Sequence, residues 1–173
     1  MDDAFSILGL PRRFDLTPAE IASAHRRVVA KLHPDRAANP VEREQFLGGS
    51  AAAGAAKERL SSDISRAEEL FRLLGAASFL AAPLAPDFLL ETLELRESIE
   101  DACSSPSPTV REDLRSSIQA RIHAATEVLR DELGQVVGSG DAGAVDSALR
   151  RAADALVRLR YLDRMRSRLE GSD

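Results

Sequence analysis

The chain has 173 residues, 44% of them hydrophobic and 29% charged; this length and balance suit one domain or two small ones and exclude wholesale disorder and a membrane protein. The net charge of −5 lies toward the C-terminus: the first 75 residues hold 11 acidic and 11 basic side chains, leaving 17 against 12 for the rest. Such a chain lacks the dominant positive field of a nucleic-acid binder. Aromatics reach only 4% and Trp is absent, and the abundance of Ala, Leu, Arg and Glu predicts an all-α fold.

Met1-Asp2-Asp3 is acidic and precedes no long apolar run, so neither a secretory signal nor a transit peptide is expected. No stretch approaches the roughly 20 apolar residues of a membrane span. A single cysteine, Cys103, and three histidines allow no internal disulfide and supply too few ligands for zinc. No metal, no cofactor and a cytoplasmic location are the expectations.

A short first helix runs from Asp3 to Leu10 and ends at Pro11, which cannot extend it. Thr17-Pro18-Ala19-Glu20 is a capping box with Pro at the first helical position. Ile21, Ala24, Val28 and Leu32 then recur at helical spacing, and the helix must stop before Pro34, leaving His33-Pro34-Asp35 in a loop. A third helix runs from near Pro40 through Leu60; Gly48, Gly49 and Gly54 inside it each cost about 0.8–1 kcal/mol relative to Ala, which predicts a weak middle. Ser65 to Leu74 is helical and Gly75 stops it. Ala76 to Pro86, with two prolines, reads as a linker.

Asp87 then caps a helix reaching about Cys103, and Cys103-Ser-Ser-Pro-Ser-Pro108 breaks it. The next helix places Val110, Leu114, Ile118, Ile122, Ala125, Leu129 and Val136 on one stripe before Gly138-Ser-Gly140. Asp141 caps a last helix carrying Ala148, Ala152, Ala155, Leu159, Leu162 and Leu169. Three long helices with short connections imply an antiparallel bundle. The expected division is 1–75, a linker at 76–86, and a three-helix bundle at 87–173.

Pro34 fixes φ, Asp35 presents a carboxylate outside the helix ladder, and His33 can hydrogen-bond in either protonation state. Such an anionic hook suits an Arg on a partner. Just upstream, His25, Arg26, Arg27 and Lys31 make a basic face that would steer an acidic partner. Adjacent loop residues without a nucleophile or an oriented base lack a catalytic constellation. A short helix ending Ile7-Leu8-Gly9-Leu10-Pro11, a capped second helix, the tripeptide and a third helix together resemble the J-domain of co-chaperones that stimulate ATP hydrolysis by DnaK-type chaperones.

At 100° per residue, Phe88, Leu95, Ile99 and Ala102 share one sector, the core face. Leu89, Leu90 and Leu93 occupy a second sector, interleaved with Glu97 and bordered by Glu94 and Glu100. Either this stripe packs against the third helix of the bundle, or it is an exposed patch whose acidic rim selects a basic partner. Tyr161 lies off the Leu159/Leu162 stripe, with Val157 and Met165, its ring available to a partner.

Phe88-Leu-Leu-Glu-Thr-Leu-Glu-Leu-Arg-Glu97, Leu159-Arg-Tyr-Leu-Asp-Arg-Met165 and Ser65-Arg-Ala-Glu68 together resemble the HscB-type co-chaperones of iron–sulfur cluster assembly. The resemblance implies a J-domain joined to a three-helix domain that binds the cluster scaffold, IscU, and delivers it to a DnaK- or HscA-type ATPase. Carried over by position, Leu89, Leu90, Leu93, Glu94, Glu97 and Tyr161 would face the scaffold. His33, Pro34 and Asp35, with Arg26, Arg27 and Lys31, would face the chaperone. Gly54 stands where the family usually has Asn, Lys57 where an aromatic is common, and His25 in place of an aromatic. One Cys cannot supply the four thiolates a cluster normally needs, so the cluster is not the chain's own. A general J-domain co-chaperone with another client on its bundle is the alternative, and no membrane or nucleic-acid partner is expected.

Overall fold

All regular structure in the computed structural model is helical. Among the described residues, 3–81, 85–104, 107–138 and 141–171, there are seven α-helices, two 3₁₀ turns and no strand. They divide into two compact units, Met1–Gly75 and Ala76–Asp173.

In the N-terminal unit, α1 is Ala4–Leu8, α2 Pro18–Lys31, α3 Pro40–Ser61 and α4 Asp63–Leu73. Asp3 caps α1, and Gly9, at φ 63°, ends it in the left-handed region that favours glycine. The capping box at Thr17 and Glu20 is complete, a device worth about 1 kcal/mol. Phe5, Ile21, Leu60 and Phe71, one from each helix, are fully buried at the centre, each contributing about 1.5–3 kcal/mol.

The expected weakness of α3 does not interrupt it. Its C-terminal half is secured by burial of Ala53, Ala56 and Leu60, and tertiary packing of that kind overrides propensity. α4 begins two residues earlier than Ser65, because Ser62 accepts from the Ser65 amide as its cap.

Two charged side chains lie inside this unit. Arg66, only 5% exposed, donates from Nε to the Phe14 carbonyl at 2.8 Å, from its other nitrogens to the Leu60 carbonyl and to Asp63, and stacks on the Phe14 ring at 4.9 Å. It belongs to the Ser65-Arg-Ala-Glu68 motif and fastens the end of α3 to the loop before α2. Buried Glu69 accepts from Arg72 at 2.8 Å, Arg59 at 3.2 Å and the Ala4 amide at 3.4 Å, joining α1, α3 and α4. A buried charge paired in this way is costly to break.

These contacts make the unit acid-sensitive. Hydrogen bonds from Arg72, opposed by burial and helped by Ala4 and Arg59, hold Glu69 below its ordinary 4.5. For Asp3, burial pushes the carboxyl up, but hydrogen bonds from Ser6 and Arg12 outweigh it and hold the group well below its ordinary 3.8. Both contribute stability that is full above the unfolded-state values and is lost as pH falls through the folded-state ones. The thermal midpoint is therefore expected to decline below about pH 4.5, and Glu69→Gln should flatten that decline while lowering the midpoint at pH 7. A midpoint–pH curve for Glu69→Gln parallel to wild type would contradict this.

In the C-terminal unit, α5 is Pro86–Ser104, α6 Pro108–Gly138 and α7 Ala142–Glu170. Thr92 meets Tyr161, Glu100 meets Arg168, and Arg111 meets the Ala102 carbonyl, so α5 and α7 run parallel with α6 antiparallel to both. Leu95, Ile99 and Ala102 of α5 close a core with Ile118, Leu162, Met165 and Leu169. Beyond α5, α6 and α7 continue as a two-helix hairpin, with Leu129, Leu133 and Val136 of α6 and Leu149, Ala152 and Leu156 of α7 buried along them and Glu132 gripping Arg151 at 2.6 Å.

Three details depart from the sequence reading. Ala77–Ala81, inside the expected linker, forms a 3₁₀ turn packed on α7, with Arg150 over the Phe79 ring at 5.2 Å. Pro86 takes the start of α5, placing Asp87 inside the first turn rather than at the cap. Val110, assigned to the core stripe, is exposed, because it lies a turn before Leu114, where the core cluster ends. Pro83 of the linker, Ser105 and Pro106 of the predicted break, and Ser139-Gly140 lie outside the described residues.

Candidate functional site

The tripeptide follows the end of α2. Pro34–Arg36 is a 3₁₀ turn rather than an irregular loop, capped by His33, whose Nδ1 accepts from the Asp35 amide at 3.3 Å. The Asp35 carboxylate is 84% exposed, its nearer oxygen 3.5 Å from His33 Nδ1. It is thus held by a structured backbone and open to a cationic partner.

Two contacts seat this turn. Arg36 donates to the Ala30 carbonyl at 2.9 Å, satisfying one of the carbonyls orphaned at the end of α2. Ser50 of α3 donates to the Leu32 carbonyl at 3.3 Å. A Cβ on Gly49 would sit 2.8 Å from Cδ1 of Leu32, so a larger residue there would have to displace that flexible side chain. A Cβ on Gly54 would meet nothing within 4 Å, and Gly54 has no such constraint.

Arg26, Arg27 and Lys31 are exposed on α2, whereas His25 is half-buried. Lys31 occupies the last turn, where its charge complements the helix's negative end. The structure therefore gathers Arg26, Arg27, Lys31, His33, Pro34 and Asp35 on one helix and the turn that follows it.

On the C-terminal unit, Leu89, Leu90 and Leu93 are 46%, 64% and 57% exposed, so the second stripe of α5 does not pack against a neighbouring helix. Glu94, Glu97 and Glu100 are exposed beside them. Glu100 receives Arg96 at 3.0 Å and Arg168 at 3.3 Å, and the Arg96 hydrogen bond, partly offset by desolvation, holds its carboxyl below the ordinary value. Contiguous leucines left in water within an acidic border are the kind of surface that marks a protein interface.

Tyr161 is placed differently from the leucines. Its hydroxyl donates to the Thr92 carbonyl at 2.8 Å, and its ring meets Phe88 edge-on at 5.7 Å. A half-buried ring with its polar tip satisfied seats α5 on α7 rather than standing free. Phe88 is also covered by Arg158, whose guanidinium lies 4.6 Å from its ring centre.

Sequence reasoning did not single out Arg36 or Arg158, and it gave Arg66 only as part of the Ser65-Arg-Ala-Glu68 motif, without its burial. Arg36 closes the turn after α2, which is the one local signal it offers. Among the described residues, no cluster of His, Cys, Asp and Glu is arranged to hold a metal ion, and no helix is long and apolar enough to cross a membrane.

Comparison with known proteins matches residues 84–170 to a family described as the HSCB C-terminal oligomerisation domain. The co-chaperone protein HscB of Proteus mirabilis is 31% identical over 172 residues, covering 97% of this chain and 94% of that one. The co-chaperone protein HscB homolog of Bordetella pertussis is 33% identical over 145 residues, covering 80% and 85%. Among solved structures, the chaperone HscB from Vibrio cholerae superposes with a TM-score of 0.77 at 24% identity, over 98% of this chain and 96% of that one. The human co-chaperone protein HscB does so with 0.69 at 17% identity, over 98% and 84%. Both structures share the all-helical fold.

Proposed function

Because this chain belongs to the HscB co-chaperone family, a co-chaperone role in iron–sulfur cluster assembly follows, and we propose that it works there as a two-site adaptor. The N-terminal unit, a J-domain, offers His33, Pro34 and Asp35 with Arg26, Arg27 and Lys31 to a DnaK- or HscA-type ATPase in the cytoplasm. The three-helix unit holds an IscU-like scaffold protein on Leu89, Leu90 and Leu93, with Glu94 and Glu97 selecting a basic rim. The observation that carries this is the pairing of two exposed surfaces of different chemistry on two separate compact units: an exposed carboxylate on a capped turn, and a leucine patch bordered by acids.

The adaptor performs no covalent chemistry. Holding the scaffold on one unit while the other engages the ATPase raises the scaffold's effective concentration at the chaperone. Stimulation of hydrolysis requires that the tripeptide turn bind one chaperone conformation better than the other, since equal affinity for both shifts nothing. Tyr161 contributes by seating α5 beneath the leucines.

The test is steady-state ATPase stimulation of a DnaK-type chaperone with and without an IscU-like scaffold. Synergy between this chain and the scaffold, beyond the sum of their separate effects, is the expected result. Stimulation that is indifferent to the scaffold would point to a general J-domain co-chaperone with another client, and absence of stimulation would overturn the chaperone-facing assignment.

A further inference from the structure

Leu89, Leu90 and Leu93 face solvent only while α5 keeps one rotation about its own axis, and core packing fixes that rotation unevenly. Leu95, Ile99 and Ala102 seat its C-terminal half in the core. In its first two turns Phe88 alone is buried, and a groove of about 570 Å3 lies there between α5, α6 and α7, floored in part by Ala124, Ala125 and Ala155.

Arg158 of α7 reaches into this thin region. Its guanidinium covers the Phe88 ring and lies 2.9 Å from Asp154 of its own helix, 3.6 Å from Asp87 and 3.7 Å from Glu91. Asp87 and Glu91 are a helical turn apart, so one cation bridging both binds a flank of α5 rather than a point on it. At about 100° per residue, that flank lies to one side of Phe88 and Leu89 and Leu93 to the other, with Leu90 nearly opposite Phe88. The Arg158 side chain is 25% exposed against 72% for Asp87 and 46% for Glu91, so each pair is weak singly and the hold comes from one cation shared among three carboxylates.

We infer that Arg158 is a positioning residue that locks the rotation of α5, holding the leucine patch outward without being part of it. The consequence for scaffold affinity rests on the proposed function; the lock itself does not. A pre-set patch spares a partner the ordering of those turns on binding.

The experiment uses the full chain with amide hydrogen exchange and calorimetric titration of an IscU-like scaffold. Arg158→Ala should speed exchange selectively at residues 88–93, leave the amides around Ile118 and Leu162 unchanged, and weaken scaffold binding about tenfold. Asp87→Asn with Glu91→Gln should reproduce both effects. This pair leaves the Arg158–Asp154 bond and the Phe88 stack in place, and so serves if Arg158→Ala does not fold. Glu91 also lies 3.9 Å from Arg121 of α6, so Arg121→Ala is the control, and adding the pair to Arg158→Ala should cost no more than Arg121→Ala does alone. Arg158→Lys should restore binding in part, since it keeps the charge but not the planar fork. Exchange at 88–93 equal to wild type, acceleration spread evenly over the unit, or additive losses of affinity would overturn the lock. A wild-type chain that does not bind scaffold would sink the proposed function, while the exchange arm still decides the role of Arg158.

Discussion

Asp35→Asn is expected to abolish stimulation of a DnaK-type ATPase while leaving the fold and scaffold binding as they are. The substitution keeps size and backbone, so the amide that donates to His33 Nδ1 is retained, and the carboxylate it removes is 84% exposed. Stability should change by less than about 0.5 kcal/mol, as for other surface replacements free of special backbone roles. What is lost is an acceptor with full charge. A hydrogen bond to a charged group is worth about 1.5–3 kcal/mol, so coupling to a partner arginine should fall roughly 10- to 150-fold. Steady-state turnover of the chaperone at saturating co-chaperone is the measurement. Wild-type stimulation by the variant would remove Asp35 from the mechanism, and a lowered thermal midpoint would mean that the turn depends on its charge for structure.

Replacing Leu89, Leu90 and Leu93 together by Ala should weaken binding of an IscU-like scaffold by more than about 100-fold, taking the contribution of each central interface side chain at 1 kcal/mol or more. The exposed leucines contribute little to the folded chain, so the thermal midpoint should move far less than it does for Ile99→Ala, where a fully buried side chain leaves a cavity and costs about 2–5 kcal/mol. Tyr161 is best left out of that combination. Its ring and hydroxyl hold α5 to α7, and truncating it would mix loss of contact with displacement of the helix. A midpoint drop matching Ile99→Ala would place the leucines inside the unit, and undiminished scaffold binding would move the interface elsewhere.

The contrast between Leu89 and Tyr161 shows what a sequence can carry. Helix periodicity separated the Phe88/Leu95/Ile99/Ala102 face from the Leu89/Leu90/Leu93 face because both follow from 100° per residue alone, and the observed burial divides them along the same line. The ends of α2 were legible for the same local reason, from Thr17 and Glu20 at one end and Pro34 beyond the other. Tyr161 was not, since its partner, the Thr92 carbonyl, is 69 residues away and its hydroxyl gives no periodic signal. Arg66 and Glu69 escaped in a different way. A charged residue on an amphipathic helix is ordinarily solvated, and what buries these two are Phe14 and Ala4, 52 and 65 residues off in sequence. The 3₁₀ turn at Ala77–Ala81 was hidden by its composition, because two prolines and a run of small residues argue for a connector whether or not α7 lies ready to receive them. Family likeness supplied the roles of the tripeptide and the leucines, which spacing alone left open between packing and docking.

The chain has no Trp and one Tyr, and that ring is wedged between Phe88 and the backbone of α5. Its ultraviolet emission therefore comes from a single joint. With excitation at wavelengths that the six Phe residues do not absorb, any loosening of α5 from α7 would register as a change in tyrosine fluorescence, with no dye attached.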